Sequence, residues 1–269
     1  MQDHQGSQDI PGQDIDLTVI VPAYNEAERH LDDRIIRTLD FLGELHCQHE
    51  LLVVDDGSVD KTIDILRSIR HPRLRWIRLD ENRGKGAAVR AGFLAARGAR
   101  VLFMDADLAT PLAEIPVFLE HMNRGADVVI GSRGMKASVL DQRESIVREN
   151  SGKLFNRLAQ TLVIPGILDT QCGFKLFRGP IARAVASSLR EPRFGFDVEL
   201  LYLIKAAGFS IIEVPVHWAH QPGSRLRFFR DGVSMLAALG RIAARKIMGG
   251  YRSDVDSIRC SVGRSAQCQ

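Results

Sequence analysis

Short apolar runs alternate with stretches of helical period along this chain, a pattern typical of a parallel β-sheet with crossover helices. The runs predicted to be strands cover residues 17–21, 51–54, 74–79, 101–104, 128–130 and 211–216. The predicted helices cover residues 26–45, 87–96, 145–162, 181–189 and 196–207, and a further helix holds Ile63, Leu66 and Ile69. Pro22 is expected to end the first strand. The pattern predicts an α/β fold whose nucleotide-binding half places its ligand at the carboxyl ends of the strands.

Length and composition limit the classes of protein to which the chain can belong. With 269 residues, of which 45% are hydrophobic, the chain can bury one substantial core. A net charge of only +3 argues against a general nucleic-acid binder, so no nucleic acid is expected as a partner. The four cysteines show no CxxC pair and no metal-ligand spacing with histidine, so they are interpreted as reduced thiols.

Both ends of the chain are expected to lie outside the catalytic domain, which is predicted to cover residues 16–224. Residues 1–15 are polar and lack the blocks of a signal peptide, and we interpret them and residues 253–269 as disordered tails. The apolar stretch 158–168 falls short of the roughly 20 residues that a membrane-spanning helix requires. Residues 225–252 combine apolar side chains at helical spacing with Arg and Lys, which predicts a basic amphipathic helix. Such a helix can lie on an anionic membrane or pack on its own domain.

Two strands end in acidic residues. Asp105, Ala106 and Asp107 follow the apolar run 101–104, and Asp55 and Asp56 follow the run 51–54. Two carboxylates one residue apart suit a hard divalent cation, Mg²⁺ or Mn²⁺, whose other ligands are phosphate oxygens. The sequence therefore predicts one cleft with a metal site at Asp105 and Asp107.

A short glycine motif lies between these acidic segments. Gly84, Lys85 and Gly86 can approach a phosphate with backbone N–H groups and a positive charge, although a simple turn at a helix start is the alternative. The motif lacks P-loop spacing, which argues against a kinase or ATPase. The residues that follow the first strand contain no GxGxxG, which argues against a dinucleotide-dependent oxidoreductase.

Several motifs together resemble family 2 glycosyltransferases of the GT-A fold. In chain order they are VPAYNE (21–26), DDGSVDKT (55–62), NRGKG (82–86) and DADL (105–108). The later segments are similar to the dolichyl-phosphate β-glucosyltransferases, with the mannose synthases as close relatives. These segments are GSR (131–133), DTQCGFKLF (169–177), FDVELLY (196–202) and GSRL (223–226). The resemblance covers residues 16–230.

The resemblance implies that the first loops hold a nucleotide, and the residue types agree. Pro22 and Tyr24 can supply an apolar face for a base, Glu26 can accept ribose hydroxyls, and Asp55 can accept the uracil N–H. The alternative for Asp55 is turn formation. The remaining residues expected beside the nucleotide are Gly84, Lys85, Asp105 and Ala106. Asp107 is the first expected metal ligand, and Asp105 is left open between contacts with ribose, metal and sugar.

Arg133 and Arg225 match positions at which members of the resembled family hold phosphate. The residue type agrees, because a guanidinium group can bind phosphate with two hydrogen bonds. Surface salt bridging is the alternative for both. Lys175 and Arg148 are weaker candidates for the same role. Trp218 is interpreted as structural.

Asp169 matches an acidic residue treated as catalytic in relatives. A phosphate monoester acceptor has a second pKa near 6 and needs no general base. Asp169 can therefore orient the sugar, orient Lys175 and Arg133, or only close the turn before Gly173. Asp197 and Glu199 can contact sugar hydroxyls, and a role at the helix start is the alternative for Asp197.

The implied reaction is an inverting, metal-dependent transfer of a hexose to a polyprenyl phosphate, with Asp107, Asp169 and Arg133 as catalytic residues. UDP-glucose is the preferred donor because of the DTQCGFKLF and FDVELLY segments and because Ala219 stands where mannose synthases usually carry arginine. A mannosyltransferase that uses GDP-mannose, a soluble acceptor and a non-catalytic nucleotide-sugar binding protein remain as alternatives. Peripheral association with the cytoplasmic membrane face is expected.

Overall fold

The computed structural model describes residues 4–6, 14–142, 146–219 and 228–263, which form an α/β fold. The strands are β1 His4–Gly6, β2 Leu17–Ala23, β3 His49–Asp55, β4 Leu74–Arg78, β5 Arg100–Met104, β6 Val128–Ser132, β7 Val139–Gln142, β8 Phe174–Arg178, β9 Ile211–Pro215 and β10 His217–Ala219. The α-helices are α1 Leu31–Glu44, α2 Thr62–Ser68, α3 Lys85–Ala95, α4 Ile115–Asn123, α5 Ile146–Leu162, α6 Gly179–Ala186, α7 Phe196–Ala206, α8 Phe228–Ile247 and α9 Arg252–Ser261. Single 3₁₀ turns cover Ala27–Arg29 and Leu112–Glu114.

Eight of the strands form one sheet in the order β1-β4-β3-β2-β5-β8-β6-β9. The neighbours from β4 to β5 are parallel, as are β6 and β9, while β8 runs antiparallel between β5 and β6. β7 and β10 form a separate parallel pair. The predicted mostly parallel sheet is confirmed.

Helices cover both faces of this sheet. One apolar core joins the sheet to α1, α2 and α4, and the other joins it to α3 and α5 through α9. Successive residues of a strand enter opposite cores, so β3 is buried along its whole length. Strands covered on both faces appear in a sequence as continuous apolar runs, which is why the pattern predicted them.

The strand β8 was not predicted. It contains Lys175, which is fully buried, and lysine is rarely buried unless it is paired. The α4 helix was also missed, and the first α-helix begins at Leu31 rather than at residue 26. The prediction that Pro22 ends the first strand was wrong. Proline has no N–H to donate to a neighbouring strand. On the side of β5 the pairing of β2 ends at Ile20, so no hydrogen bond from position 22 is required there, while pairing with β3 continues to Ala23.

The two expected tails contain structure. The prediction of disorder was wrong for residues 253–261, because α9 buries Val255 and Ile258 against the helical layer. It was also wrong for His4–Gly6, which pair with the edge strand β4. Cys47 and Cys172 are free thiols, but Cys260 is disulfide-bonded, a pairing that the cysteine spacing did not indicate.

The helix predicted over residues 225–252 is α8, and residues 225–227 lie outside the described ranges. It packs on its own domain through Leu239 and Ile242, whereas Val233 and Leu236 stay exposed. In the part of the chain that the structure describes, no helix has both the length and the apolar character needed to cross a membrane.

Candidate active site

Three of the predicted loops meet at one edge of the sheet, because β3, β2 and β5 are parallel neighbours and end on the same side. The loop after β2 is tied to the loop after β3. Asn25, at φ 54°, accepts hydrogen bonds from the N–H groups of Val59 and Asp60, and the Glu26 N–H donates to Thr62 Oγ1 at 2.8 Å. Pro22 and Tyr24 are half-buried at this edge.

Glu26 lies between two arginines rather than open to solvent. Its carboxylate is 3.1 Å from Arg29 Nη1 and 3.8 Å from Arg34 Nη1. Arg34 also donates to the carbonyl oxygen of Ala106 at 3.4 Å. The pairing connects the first loop to the loop after β5, and the ribose contact of Glu26 stays a prediction.

Asp55 is fully buried at the end of β3. Its Oδ1 atom accepts a hydrogen bond from the Ser58 N–H at 3.2 Å, and its Oδ2 atom lies 3.4 Å from Arg78 Nε. Within the described ranges Oδ2 has no hydrogen-bond partner. Burial raises the pKa of this carboxyl. Asp55 therefore offers a buried acceptor at the predicted nucleoside position.

Asp56 has a role that the sequence did not indicate. Its carboxylate accepts hydrogen bonds from Asn82 Nδ2 at 2.9 Å and from the N–H groups of Arg83 and Gly84 at 2.8 Å each. Asp56 thus holds the loop that leads into α3. A pair of adjacent aspartates in the sequence does not reveal which one faces a loop 26 residues further on.

Lys85 and Asp105 form an ion pair with 2.6 Å between Nζ and Oδ1. Burial lowers the pKa of the Lys85 ammonium, but the charges of Asp105 and Asp197 outweigh burial, and the pKa is raised overall. A Cβ atom at Gly173 would overlap the Asp105 carboxylate, so Asp105 can take this position only beside glycine. Gly173 is a site residue that the sequence reading treated only as part of a turn.

Asp107 lies in the turn after β5, where Leu108 has a φ of 54°. Its Oδ1 atom accepts a hydrogen bond from the Ala109 N–H at 3.1 Å. Burial and the negative charge of Asp105 raise its pKa. Among the described residues there is no group of three or more His, Cys, Asp or Glu side chains placed to hold a metal ion. The Asp105 and Asp107 carboxylates would therefore have to share a cation with ligands from outside the protein.

Arg133 and Asp169 form a second centre. Arg133 Nε and Nη2 donate to the Asp169 carboxylate at 2.7 and 3.1 Å, and the Arg133 guanidinium carbon is 5.5 Å from the Trp218 ring centroid. Although burial raises the pKa of Asp169, the charge and hydrogen bonds of Arg133 lower it to about 2. Asp169 also accepts the Gln171 N–H at 3.0 Å. Of the roles left open, orientation of Arg133 and closure of the turn match these contacts.

Lys175 does not join the second centre. It is fully buried and pairs with Asp197 at 2.5 Å, so it is not accessible to a phosphate. Glu199 is buried as well and accepts hydrogen bonds from the N–H groups of Arg190 and Glu191. Arg225 and the side chain of Arg148 lie outside the described part of the chain.

The two centres are joined by residues 169–173. At one end of this segment Asp169 binds Arg133, and at the other the Gly173 carbonyl accepts the Asp105 N–H at 3.0 Å. The Leu168 and Asp169 N–H groups donate to Glu213 on β9, and the Thr170 N–H donates to Asn156 on α5. One anchored segment thus sets the position of the guanidinium group relative to the acidic pair.

The chain is similar to characterised enzymes along most of its length. The glycosyl transferase family 2 model matches residues 18–185. A dolichyl-phosphate beta-glucosyltransferase of Dictyostelium discoideum is 37% identical over 256 residues, covering 90% of this chain and 78% of that protein. The Drosophila melanogaster protein of the same name is 38% identical, with 88% and 77% covered, and the Homo sapiens one is 34% identical, with 88% and 77% covered.

Solved structures share the fold. Glucosyl-3-phosphoglycerate synthase from Mycobacterium tuberculosis in complex with phosphoglyceric acid superposes with a TM-score of 0.64 at 20% identity, covering 88% of this chain and 87% of that chain. The same enzyme in complex with Mn²⁺, uridine-diphosphate and glucosyl-3-phosphoglycerate has a TM-score of 0.62 at 22% identity, covering 86% and 80%. These likenesses confirm the predicted GT-A fold. With the family match and the relatives' identity, they show that the chain is a glycosyltransferase and belongs to glycosyl transferase family 2.

Proposed function

We propose that this enzyme transfers glucose from UDP-glucose to a polyprenyl phosphate of the dolichyl type, with inversion at the anomeric carbon. The observation that carries the proposal is the acidic pair after β5, where Lys85 neutralises Asp105 while Asp107 is held by a backbone N–H. The names of the relatives support the sugar and the acceptor, and a structural neighbour in complex with uridine-diphosphate and Mn²⁺ supports the donor type.

The donor nucleoside would bind at the ends of β2 and β3. Tyr24 and Pro22 present half-buried surfaces for the base. Asp55 Oδ2 is fully buried and would have to become accessible before it could accept an N–H of the base edge. Glu26 holds Arg34 against the Ala106 carbonyl and so shapes the wall towards the diphosphate. Gly84 and Lys85 would lie beside the same phosphates.

The acidic pair fits a divalent cation such as Mg²⁺ or Mn²⁺. Two carboxylates are hard oxygen ligands. Burial and the negative charge of Asp105 raise the pKa of Asp107, and a bound cation would offset both effects on its charged form. Asp105 and Asp107 would hold the ion, and the donor diphosphate would complete its ligands. When bound there, the ion supplies Lewis-acid stabilisation of the charge that develops on the leaving diphosphate.

The acceptor phosphate would bind at Arg133, whose guanidinium plane is set by Asp169 and Trp218. A phosphate oxygen forms a bond to the anomeric carbon while the bond from that carbon to the UDP oxygen breaks, and the electron pair stays on UDP. The phosphate is largely dianionic at neutral pH, so no proton has to be removed. Asp169, with its pKa at about 2, is ionised and hydrogen-bonded, which suits orientation rather than general base catalysis.

Radiolabelled sugar transfer tests this function. We expect a lipid-soluble product from UDP-glucose and a short polyprenyl phosphate, and loss of that product in EDTA. If a lipid product forms from GDP-mannose but not from UDP-glucose, the donor assignment would change to GDP-mannose. Absence of lipid product with either donor would reject the acceptor.

We also propose that α8 and α5 rest on a membrane surface. Both helices expose large apolar side chains, among them Leu236 at 50% and Leu162 at 46% exposure, and Lys246 adds positive charge beside Leu162. Apolar area together with basic residues favours anionic membranes. Full-length Leu236→Glu is expected to float less with anionic liposomes, whereas Ile36→Glu, on α1 over the opposite core, should float like wild type. Equal flotation of both variants would reject this surface.

A further inference from the structure

The segment between α6 and α7 lies directly against the loop that leads into α3. The Ala87 N–H donates to the carbonyl oxygen of Pro192 at 3.0 Å. Gly84, at φ 105°, is so close that a Cβ atom there would stand 2.6 Å from the same oxygen. The backbone around residue 192 therefore supports the start of the helix that carries Lys85.

Glu199 on α7 fixes that supporting segment. Its carboxylate is fully buried, and Oε2 accepts hydrogen bonds from the N–H groups of Arg190 and Glu191 at 2.8 Å each. The Oε1 atom accepts the hydroxyl proton of Tyr251, which lies between α8 and α9, at 2.7 Å. A buried carboxylate thus ties the segment to the C-terminal part of the chain.

Glu191 makes a second connection to the same part of the chain. Its carboxylate is buried and accepts hydrogen bonds from Arg241 Nη2 at 2.6 Å and Nε at 3.1 Å. Arg245 Nη1 lies 3.3 Å from Glu191 and 3.6 Å from Glu199. The cations described on these two carboxylates come from α8. Because a buried carboxylate requires such partners, the segment keeps its position only while α8 is docked.

We propose that Glu191 and Glu199 are positioning residues through which α8 holds the donor loop in the shape that binds a nucleoside diphosphate. The identity of that ligand rests on the proposed function. Neither glutamate is near the acidic pair in sequence, and their effect passes through Pro192 and Ala87 to Lys85. Since α8 also carries the exposed apolar face, whatever surface fixes α8 would also stabilise donor binding.

Hydrogen exchange at the Ala87 amide and UDP affinity test this proposal in the full-length protein. We expect Arg241→Gln to speed exchange at residues 85–89 and to weaken UDP binding by about five- to tenfold, the effect of losing one partner of a charged pair that is partly open to water. Arg259→Gln is the matched control. Arg259 is a half-exposed arginine that bonds the Ala206 and Ala207 carbonyls at the end of α7 and pairs with Asp256 on α9. It should leave both measurements unchanged.

A double-mutant cycle separates positioning from general loss of stability. Glu191 is also bound by Arg245, so Glu191→Gln combined with Arg241→Gln should weaken UDP binding no more than Glu191→Gln alone. If Arg241→Gln fails to fold, Tyr251→Phe is the second variant. It removes the hydroxyl that bonds Glu199 and Arg245 and should also speed exchange at Ala87.

Unchanged Ala87 exchange in folded Arg241→Gln, or an equal change in Arg259→Gln, would overturn the proposal. Exchange does not depend on turnover. If the protein glucosylates no lipid phosphate but Arg241→Gln still speeds exchange at Ala87, the proposed function is refuted and this inference stands. If transfer is normal but exchange at Ala87 is unchanged in Arg241→Gln, this inference is refuted and the proposed function stands.

Discussion

The two ends of the proposed reaction are built in different ways. On the donor side, Asp55 ends a parallel strand, and Asp56 and Asp107 follow parallel strands. These three are held largely by backbone N–H groups, whereas Asp105 is paired with Lys85. On the acceptor side, Arg133 is held by Asp169 through a pair of side chains. Beneath it, buried Lys175 donates to the Cys172 carbonyl of the segment 169–173 and is held by Asp197. Backbone N–H groups recur wherever a strand ends, whereas each ion pair depends on two particular residues. The donor side should therefore tolerate changes around its acids, and the acceptor side should respond to loss of single partners.

The largest effect is expected at the donor side from Asp107→Ala. Removal of a group that stabilises transition-state charge costs about 10³-fold in turnover. UDP affinity should fall less, because Tyr24, Asp55 and Lys85 are retained. Initial rates of transfer and calorimetric UDP titration measure the two effects. Asp64→Ala, an exposed aspartate on α2 that pairs with Arg67, is the control. A loss of turnover below about tenfold would remove Asp107 from the catalytic centre.

The same difference explains what the sequence could predict. The strand ends and the acidic pair were visible because covered parallel strands are continuous apolar runs, and loops after them collect at one edge. The acidic segments that begin at Asp55 and at Asp105 could be placed at one edge of the sheet by that rule alone. The basic side chain that pairs with each acid could not be predicted. Lys85 and Asp105, for example, are 20 residues apart and meet only because α3 packs on the sheet.

The acceptor side could be predicted only through family resemblance. The β8 strand lies between β5 and β6 and runs antiparallel, and Lys175 interrupts its apolar pattern. In the sequence, a lysine among apolar residues is interpreted as a surface or phosphate-binding residue. Its burial becomes understandable only when its partner Asp197, 22 residues away, is known. Gly173 gave no signal because only glycine leaves room for the carboxylate of Asp105, which follows β5 and is distant in the sequence.

The second largest effect is expected from Lys175→Met. Removing one partner of a fully buried pair leaves Asp197 uncompensated and should lower the free energy of unfolding by about 3–5 kcal/mol. The double change Lys175→Met with Asp197→Leu should recover most of that loss, because apolar replacements of a buried pair are often neutral. Urea unfolding measures both. Lys205→Met, at an exposed lysine that bonds the Pro165 carbonyl, is the control. A single variant as stable as wild type would show that the pair is not what holds this side together.

The smallest effect concerns the pH dependence of stability that Asp169 confers. Its folded pKa of about 2 lies below the unfolded value of about 3.9, so the Asp169–Arg133 pair stabilises the fold above pH 4. That contribution, about 2.5 kcal/mol, is lost as the pH falls from about 4 to 2. Asp169→Asn should be less stable at neutral pH and should show a shallower loss of stability in acid, measured by urea unfolding at several pH values. The exposed change Asp64→Asn should leave the slope unchanged.

The same variant separates the two roles considered for Asp169. If Asp169 only orients Arg133, Asp169→Asn should lower turnover by a similar factor at every pH from 6 to 8. The guanidinium group is then less firmly held, and Asp169, whose pKa is about 2, stays ionised throughout this range. As a general base, it would instead contribute an ionisation to the pH profile of turnover, and that ionisation would disappear in the variant. A wild-type limb that vanishes with the carboxylate would overturn the orienting role, and with it the contrast between a donor side held by backbone groups and an acceptor side held by paired charges.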